Sequence, residues 1–565
     1  MKKLINDPRH VVQDMLEGLV LANPALALLK DENVVVRQDY PALAQANKVA
    51  LVSGGGAGHE PAHAGYVGAG MLTAAVAGEV FTSPSVDAVL SAILTVAGPA
   101  GVLLIVKHYT GDRLNFGLAA ELARATGVEV ELLLVGDDVA LDGNASVGRR
   151  GIAGTVLIHK VAGAAAEAGL PLLEVKALAE RAAAGLFSMG LGLTACTVPA
   201  AGKPGFSIGD AEVEYGLGIH GESGVRRAPI QPAAAMVASL LDRIVAQGEL
   251  QPGQRVALLV NNLGGTPSQE VDIVTREALL GCKARGLVVD AVMAGTFLSA
   301  LDMAGCSLSL MRVDDACLTL LQAPTEAGAW PGMRRPASSA PRIPVVEAPV
   351  VAERSTGHPW AQAHAMHFKA ALLAIAGTLR EHEAELTELD AVVGDGDIGI
   401  SLARGAAAIE QQLSQLDAGH PAAALQQLSG ILRKALGGTS GPLYAVFTLA
   451  AGMALARAAD PSQPHAWSTA FDAGAEAIMR LGGARAGERT MLDALLPAAA
   501  AFRGGHGALA EVLAATAEAA RQGAEATRTM QPRKGRSSYL GDRVLGHVDP
   551  GAYAVYLWLA SLARL

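Results

Sequence analysis

The apolar residues of this chain recur with two different periods, and the switch between them falls at a run of prolines. Before it, short β-branched runs return at 49–52, 102–106, 128–135, 256–260 and 287–292, with Ala-rich helical segments between most of them. Strands alternating with helices are the signature of α/β layers, and Gly clusters at strand ends mark ligand loops there. A change near residue 190 predicts two α/β subdomains, about 1–190 and 191–325. Between Ala323 and Pro359 the periodicity disappears while Pro324, Pro331, Pro336, Pro341, Pro344, Pro349 and Pro359 punctuate the chain, so 326–358 reads as an extended linker. After Trp360, Ala and Leu recur at helix spacing and strand signals nearly vanish, which predicts an all-helical domain over 359–565.

Composition narrows the function classes. At 565 residues the chain exceeds one hydrophobic core and suggests two to four domains. Lys and Arg at 44 against Asp and Glu at 54 give a formal charge of -10, with no basic footprint for nucleic acid. Cys196, Cys282, Cys306 and Cys317 show no CxxC spacing and make no disulfide framework, which suits a reducing cytoplasm. Uncharged stretches at 88–106, 182–202 and 435–456 are each interrupted by Gly or Pro, so they read as buried structure rather than membrane spans. Lys2 and Lys3 are followed by Asp7 and Pro8 before any apolar core of signal length, so no export signal is expected.

Three carboxylates converge in the string Asp390-Ala391-Val392-Val393-Gly394-Asp395-Gly396-Asp397-Ile398-Gly399. Gly394 and Gly396 let the chain turn tightly enough for Asp395 and Asp397 to share a space, and hard oxygen ligands on such a loop suit Mg2+. The bland alternative is an acidic loop capping the next helix. An EF-hand would need alternating ligands and a distal Glu, which 399–404 does not supply. Three further loops add Gly amides, hydroxyls or Arg suited to phosphate: 437–442, 487–491, and 535–539 leading to 549–551. No Walker A string or protein-kinase motif set occurs.

The helical half resembles the nucleotide-binding domain of the dihydroxyacetone kinases, through the Asp390–Gly399 loop and the strings GGTSGPLY, RTMLDALLPA and GRSSYLGDRVLGHVDPGA. The first half resembles the same family through Ser53-Gly54-Gly55-Gly56-Ala57-Gly58-His59-Glu60-Pro61, Lys107-His108-Tyr109-Thr110-Gly111-Asp112 and Gly218-Ile219-His220-Gly221-Glu222. The resemblance implies a barrel of helices whose Asp390, Asp395 and Asp397 hold two magnesium ions bridging the phosphates of ATP. It implies nucleotide contacts from Ile398, Gly399, Ile400, Ser401, Thr439, Ser440, Gly487, Thr490, Met491, Arg536, Asp549, Pro550 and Gly551. It further implies that Gly56, Ala57, Gly58, His59, Lys107 and Asp112 line a hydroxyketone site, with His220 forming a covalent hemiaminal and His59 and Asp112 assisting proton transfer. Ala57 departs from the family, which often has Ser there; a backbone contact would survive and a hydroxyl contact would not. Fusion of both modules resembles the ATP-dependent branch, and relatives suggest a homodimer.

Other readings stay open on the sequence. His59-Glu60-Pro61-Ala62-His63 satisfies the HExxH zinc-hydrolase pattern, although Pro61 and the preceding glycines argue against the helix that pattern needs. A non-catalytic hydroxyketone sensor would not need three Asp. Glyceraldehyde or erythrulose are the nearest alternative substrates.

Overall fold

The computed structural model describes residues 2–141, 148–345 and 357–565. The chain forms two compact units, Met1–Ile343 and Pro344–Leu565.

The first unit is built on two six-stranded sheets. Strands β1 (Leu26–Leu28), β2 (Val34–Arg37), β3 (Ala50–Ala57), β4 (Ala74–Val80), β5 (Val102–Lys107) and β6 (Val130–Val135) pair in the order β1-β2-β4-β3-β5-β6. The four from β4 to β6 in that order run parallel, and β1 and β2 form an antiparallel margin. Helices α1 (Val11–Ala22), α2 (Tyr40–Gln45), α3 (Val86–Val96), α4 (Thr110–Ala125), α5 (Thr155–Glu167) and α6 (Leu172–Ala184) accompany this sheet. Alternate residues feed opposite cores, as the period of a strand requires. Val52, Leu104 and Val106 pack with Val89 and Ile93 of α3 and Phe116 of α4, whereas Leu51, Leu103 and Ile105 pack with Leu16 of α1, Val161 of α5 and Val175 of α6.

The second sheet runs β11-β10-β12-β7-β8-β9, from β7 (Leu186–Gly192), β8 (Glu212–Tyr215), β9 (Arg226–Pro229), β10 (Arg255–Asn262), β11 (Val288–Gly295) and β12 (Gly305–Arg312). Only its β10–β11 pairing is parallel; the others are antiparallel. Helices α7 (Ala233–Gln247) and α8 (Ser268–Ala284) cover it, with Leu240, Leu241 and Ile244 against Leu258, Val260, Leu308 and Leu310, and α9 (Asp315–Gln322) follows β12.

Two expectations need correction here. The glycine run 54–58, expected as a loop at a strand end, is itself strand as far as Ala57 and then continues into turns. The linker expected over 326–358 is not extended from its start: Ala327, Trp330 and Met333 are buried in the core of the first unit. Thr325 fastens the segment by donating to the Ala69 carbonyl at 2.7 Å. Trp330 and Met333 are the large apolar groups at the start of that stretch, and burying them outweighs the extended preference of the prolines. Of the expected linker, residues 346–356 lie outside the described ones.

The second unit is helical: α10 (Gln362–Glu381), α11 (Glu383–Val393), α12 (Ile398–Gln412), α13 (Pro421–Ala435), α14 (Ser440–Leu455), α15 (Pro464–Gly482), α16 (Leu492–Gly504), α17 (Leu509–Ala526) and α18 (Pro550–Leu562). Helix α12 packs on α10, each helix from α13 to α18 packs on the one before it, and α18 returns to α10. This ring encloses an interior cavity of about 820 Å³ lined by groups such as Phe368, Leu402, Leu428, Phe447, Trp467 and Trp558. Helix α11 stands beside the ring, so the turn between α11 and α12 lies at its rim. Among the described residues no helix is long and apolar enough to cross a membrane.

Candidate functional site

The glycines of β3 let the chain pass through places that no side chain could share. A Cβ on Gly54 would collide with the Val76 carbonyl and touch the Phe116 ring, and one on Gly56 would fall 2.6 Å from the Thr82 nitrogen. Gly58, at φ 96°, turns the chain out of the strand, and its N–H donates to the Glu60 carboxylate oxygens at 3.0 and 3.1 Å. Two backbone bonds then join this turn to a loop of the second sheet: Ser299 N–H to His59 O at 3.1 Å and Leu301 N–H to Gly58 O at 2.8 Å. The site therefore sits where the two sheets of the first unit meet.

His59 is fully buried, and its Nδ1 lies 2.8 Å from the Ser299 carbonyl. A carbonyl only accepts, so Nδ1 carries the proton and Nε2 presents a lone pair. Burial, together with the charges of Lys107 and His220, pushes the His59 imidazole well below its ordinary pKa and keeps it neutral.

His220 stands on the loop between β8 and β9 with its side chain 20% exposed. Glu222 grips it twice, accepting the His220 N–H and the Nδ1 proton, each at 2.9 Å. Burial would raise the Glu222 carboxyl, but the hydrogen bond from His220 is the largest influence lowering it, and it lies at about 2. An ionised carboxylate only accepts, so the His220 proton stays on Nδ1 and Nε2 is left as the nucleophilic nitrogen. Three rings wall it edge-on: His59 at 4.8 Å, Tyr109 at 4.7 Å and Phe81 at 5.3 Å between centroids.

Lys107 ends β5 and Asp112 lies in the first turn of α4, both buried. The bare Cα of Gly55 leaves room for both, since a Cβ there would lie 3.0 Å from Lys107 Nζ and 3.6 Å from Asp112 Oδ2. Burial lowers the Lys107 ammonium from its ordinary pKa, and Asp112 acts in the opposite sense. Among the described residues, His59 Nε2, Lys107 Nζ, Tyr109 Oη and Asp112 Oδ1 are all buried without a hydrogen-bond partner. Unpartnered buried polar atoms are costly and uncommon, and four beside one histidine describe a pocket for a small polar molecule. Ala57 turns its methyl into the core, while its carbonyl accepts the Phe81 N–H at 2.9 Å.

The zinc-hydrolase reading of His59 and His63 fails on this geometry. The chain between them is turn rather than helix, and His63 points its Nδ1 at His159 Nε2 at 2.9 Å. Both members of that pair are buried.

In the second unit, Asp390, Asp395 and Asp397 bring one carboxylate oxygen each within 4.8 Å of one another. Asp390 in the last turn of α11 accepts the Asp397 N–H at 2.9 Å and the Ile398 N–H at 3.3 Å, which folds the loop back over the helix. Gly396, at φ 73°, permits that reversal. Three hard oxygen donors in one space suit Mg2+. Ile398, Gly399, Ile400 and Ser401 form the first turn of α12, with Gly399 pressed against the Glu383 carbonyl and Thr387. The loop before α14 lies alongside: a Cβ on Gly438 would be 3.6 Å from Asp397 Oδ2 and one on Gly437 3.6 Å from Ser401 Oγ, which brings Thr439 and Ser440 to the same rim. Arg536 reaches Asp395 as an ion pair.

The remaining expected nucleotide residues form a second group. Asp549 caps α18 by accepting the Ala552 N–H at 2.8 Å, and a Cβ on Gly551, next to Pro550, would lie 3.6 Å from Met491. Burial pushes the Asp549 carboxyl up to about 6. One expectation needs correction. The Gly487 amide, among the Gly amides read from sequence as suited to phosphate, donates instead to Asp493 at 2.5 Å, as does the Thr490 amide at 2.8 Å, which leaves the Thr490 hydroxyl as that residue's group for a phosphate. The reason is local, because a carboxylate in the first turn of α16 captures the amides that precede it.

Sequence reasoning missed Glu222, Tyr109 and Phe81 as walls and supports of the pocket. Glu222 and Tyr109 stand inside strings that carry the resemblance. Phe81 gave no signal, because its φ of 60° is visible only in the folded chain.

Comparison with known proteins agrees with both halves. The Dak1 domain matches residues 17–329 and the DAK2 domain matches residues 392–564. The chain is 43% identical over 576 residues to the triokinase/FMN cyclase of Homo sapiens, covering 100% of this chain and 99% of that one. It is 39% identical over 569 residues to the dihydroxyacetone kinase of Citrobacter freundii, covering 99% and 98%. The crystal structure of the dihydroxyacetone kinase from C. freundii in complex with AMP-PNP and Mg2+ superposes with a TM-score of 0.64 at 38% identity, covering 100% of this chain and 99% of that one. With two sheets under Dak1, a ring of helices under DAK2 and full-length relatives on both, this chain belongs to the dihydroxyacetone kinase family.

Proposed function

We propose that the chain transfers the γ-phosphoryl group of ATP to a hydroxyl of dihydroxyacetone, with the ketone held on His220. The observation that carries this reading is the His220 imidazole, fixed by Glu222 at Nδ1 and bare at Nε2, beside four buried polar atoms that lack partners. A three-carbon polyol offers too little surface to be selected by shape, and a bond to its carbonyl selects it by chemistry.

In the tethering step, the Nε2 lone pair forms a bond to the carbonyl carbon and the C=O π pair moves to oxygen. Lys107 supplies a proton to that oxygen and becomes neutral, while the ring keeps its Nδ1 proton and becomes cationic against the Glu222 carboxylate, so charge balances. His59 Nε2 and Asp112 Oδ1 then accept from the substrate hydroxyls, and His59, being neutral, can take the proton of the hydroxyl that is phosphorylated. Tethering converts the encounter with the nucleotide into an oriented one.

Asp390, Asp395 and Asp397 would hold Mg2+, as two ions, against the nucleotide phosphates. Bound there, the metal supplies positive charge to the phosphate oxygens. Ser401, Thr439, Ser440 and Arg536, near the same carboxylates, would contact the phosphates, and Asp549, Pro550, Gly551 and Met491 would contact the rest of the nucleotide. We assign the ketone half to 1–325 and the nucleotide half to 359–565. The protein is further proposed to be a cytoplasmic homodimer, consistent with four free cysteines; a monomer mass by light scattering would remove the dimer.

The test is a coupled kinase assay with dihydroxyacetone, glyceraldehyde, erythrulose and glycerol, joined to native mass spectrometry and crystallography of the dihydroxyacetone complex. An adduct on His220 is expected, with glycerol, which has no carbonyl, disfavoured by a factor on the order of 1,000 or more in kcat/KM. A His220→Ala chain that phosphorylates dihydroxyacetone as well as the parent, with no adduct in either, would overturn the reading.

A further inference from the structure

Behind the His220 loop lies an arginine that neither the motifs nor the substrate pocket account for. The Arg150 side chain is 11% exposed and that of its partner Asp138 is 2% exposed. Arg150 donates from Nε and Nη2 to Asp138 Oδ2 at 2.8 and 2.6 Å, and from Nη2 to the Gly216 carbonyl at 2.8 Å. Asp138 is fixed in turn by the Ala140 N–H at 2.9 Å. Gly216 opens the loop that carries His220, at φ 72°. Further along that loop, a Cβ on Gly218 would collide with the Glu222 carboxylate and lie 2.7 Å from Arg150 Nη1. The missing side chain of Gly218 thus leaves guanidinium and carboxylate on either side of one small space, near enough for their charges to act on each other without a hydrogen bond between them. Tyr109, whose ring walls His220, feels the same two charges at its buried hydroxyl.

A buried ion pair at this position is poor evidence for stability, because desolvating both charges offsets most of their attraction. It is well suited to holding a geometry, since the planar fork of arginine binds in fixed directions. We infer that Arg150, clamped by Asp138, is a positioning residue that holds the Gly216–Glu222 loop by its Gly216 carbonyl, and through the loop sets the Glu222 carboxylate, so that His220 presents Nε2 to the substrate carbonyl. This rests on the reading of His220 as the ketone-binding group. Arg150 acts on the reaction through the loop and Glu222, so its effect on turnover falls where that of Glu222 falls.

The test uses the full-length enzyme with Arg150→Ala, Arg150→Lys, Asp138→Asn, Glu222→Gln and the Arg150→Ala/Glu222→Gln double variant. Arg150→Ala should lower kcat/KM for dihydroxyacetone by on the order of tenfold to a hundredfold while leaving KM for ATP within about twofold. The double variant should be no worse than Glu222→Gln alone, because the two residues form one path. Arg150→Lys keeps the charge and loses the fork, and should fall between parent and Ala. Should Arg150→Ala fail to fold, Asp138→Asn and Arg150→Lys carry the same comparison. Losses that multiply in the double variant, or that weaken ATP and dihydroxyacetone equally, would show a general structural role and overturn the inference. A His220→Ala chain with parental activity would instead remove the reading beneath it, so the two failures are distinguishable.

Discussion

Asp395 and Asp397 leave a glycine turn with their carboxylates toward a common space, whereas Asp390 is occupied with the backbone of the turn itself. The three are therefore unequal in what substitution would show. Asp395→Asn or Asp397→Asn keeps shape and removes the negative charge a hard cation needs, so kcat should fall by at least on the order of 100-fold. The dihydroxyacetone adduct on His220, made by the other unit, should form as in the parent. Coupled assay and native mass spectrometry on the same samples read both quantities, and near-parental turnover in both variants would remove the metal assignment. Asp390→Asn should add a loss of stability of about 1 kcal/mol, because an amide accepts the two backbone N–H groups less strongly than a carboxylate.

Close approach between elements, together with the Asp390 hydrogen bonds, holds those carboxylates in place. Gly399 in the first turn of α12 lies against the Glu383 carbonyl and Thr387 of α11, while Gly430 within α13 has nothing within 4 Å of a would-be Cβ. Gly399→Ala must push α12 away from α11 and should cost about 1–3 kcal/mol, together with much of kcat. Gly430→Ala should stabilise by about 0.4–1 kcal/mol and leave activity alone. Urea unfolding and turnover measured on both variants check this, and equal effects would show that Gly399 is replaceable. The Asp loop was legible in the sequence because its residue types and spacing already contain the turn, and the runs at 102–106 and 256–260 were legible because β-branched residues seldom favour anything else. Strand β12 was not, since Ser307 and Ser309 read as polar yet are buried, with Ser309 accepting the Ser188 hydroxyl at 2.6 Å. Gly54 to Ala57 was not legible either, because glycine has low strand propensity and its place in β3 follows from the closeness of β4 and α4. The same limit hid Arg150, whose meaning depends on a partner twelve residues away and a loop sixty-six residues away.

At the scale of the whole first unit, burial around Lys107 has a consequence for acid stability. His59, His63 and His159 are all buried, and desolvation, reinforced by the Lys107 charge, holds each below its ordinary pKa, His159 at about 3. An unfolded chain takes up protons on these groups near pH 6.5, so below that the unfolded state binds more protons on them and the three histidines pull stability down as pH falls. Carboxyls act in the other direction: burial raises Asp137 to about 6, and raises Asp138 and Glu60, so the fold gains as they protonate. The net slope of the parent is a balance between the two sets, and a single histidine is isolated by difference. His159→Gln removes one titrating group and leaves the carboxyls in place. Relative to the parent, it should recover about 1.4 kcal/mol per pH unit between roughly pH 6 and pH 4, whatever its offset at neutral pH. Urea unfolding of this unit, followed by hydrogen exchange in the β3 and β5 peptides across that range, measures the two slopes. Parallel slopes would mean that His159 charges inside the fold, and that the buried pair with His63 opens to solvent before the sheets do.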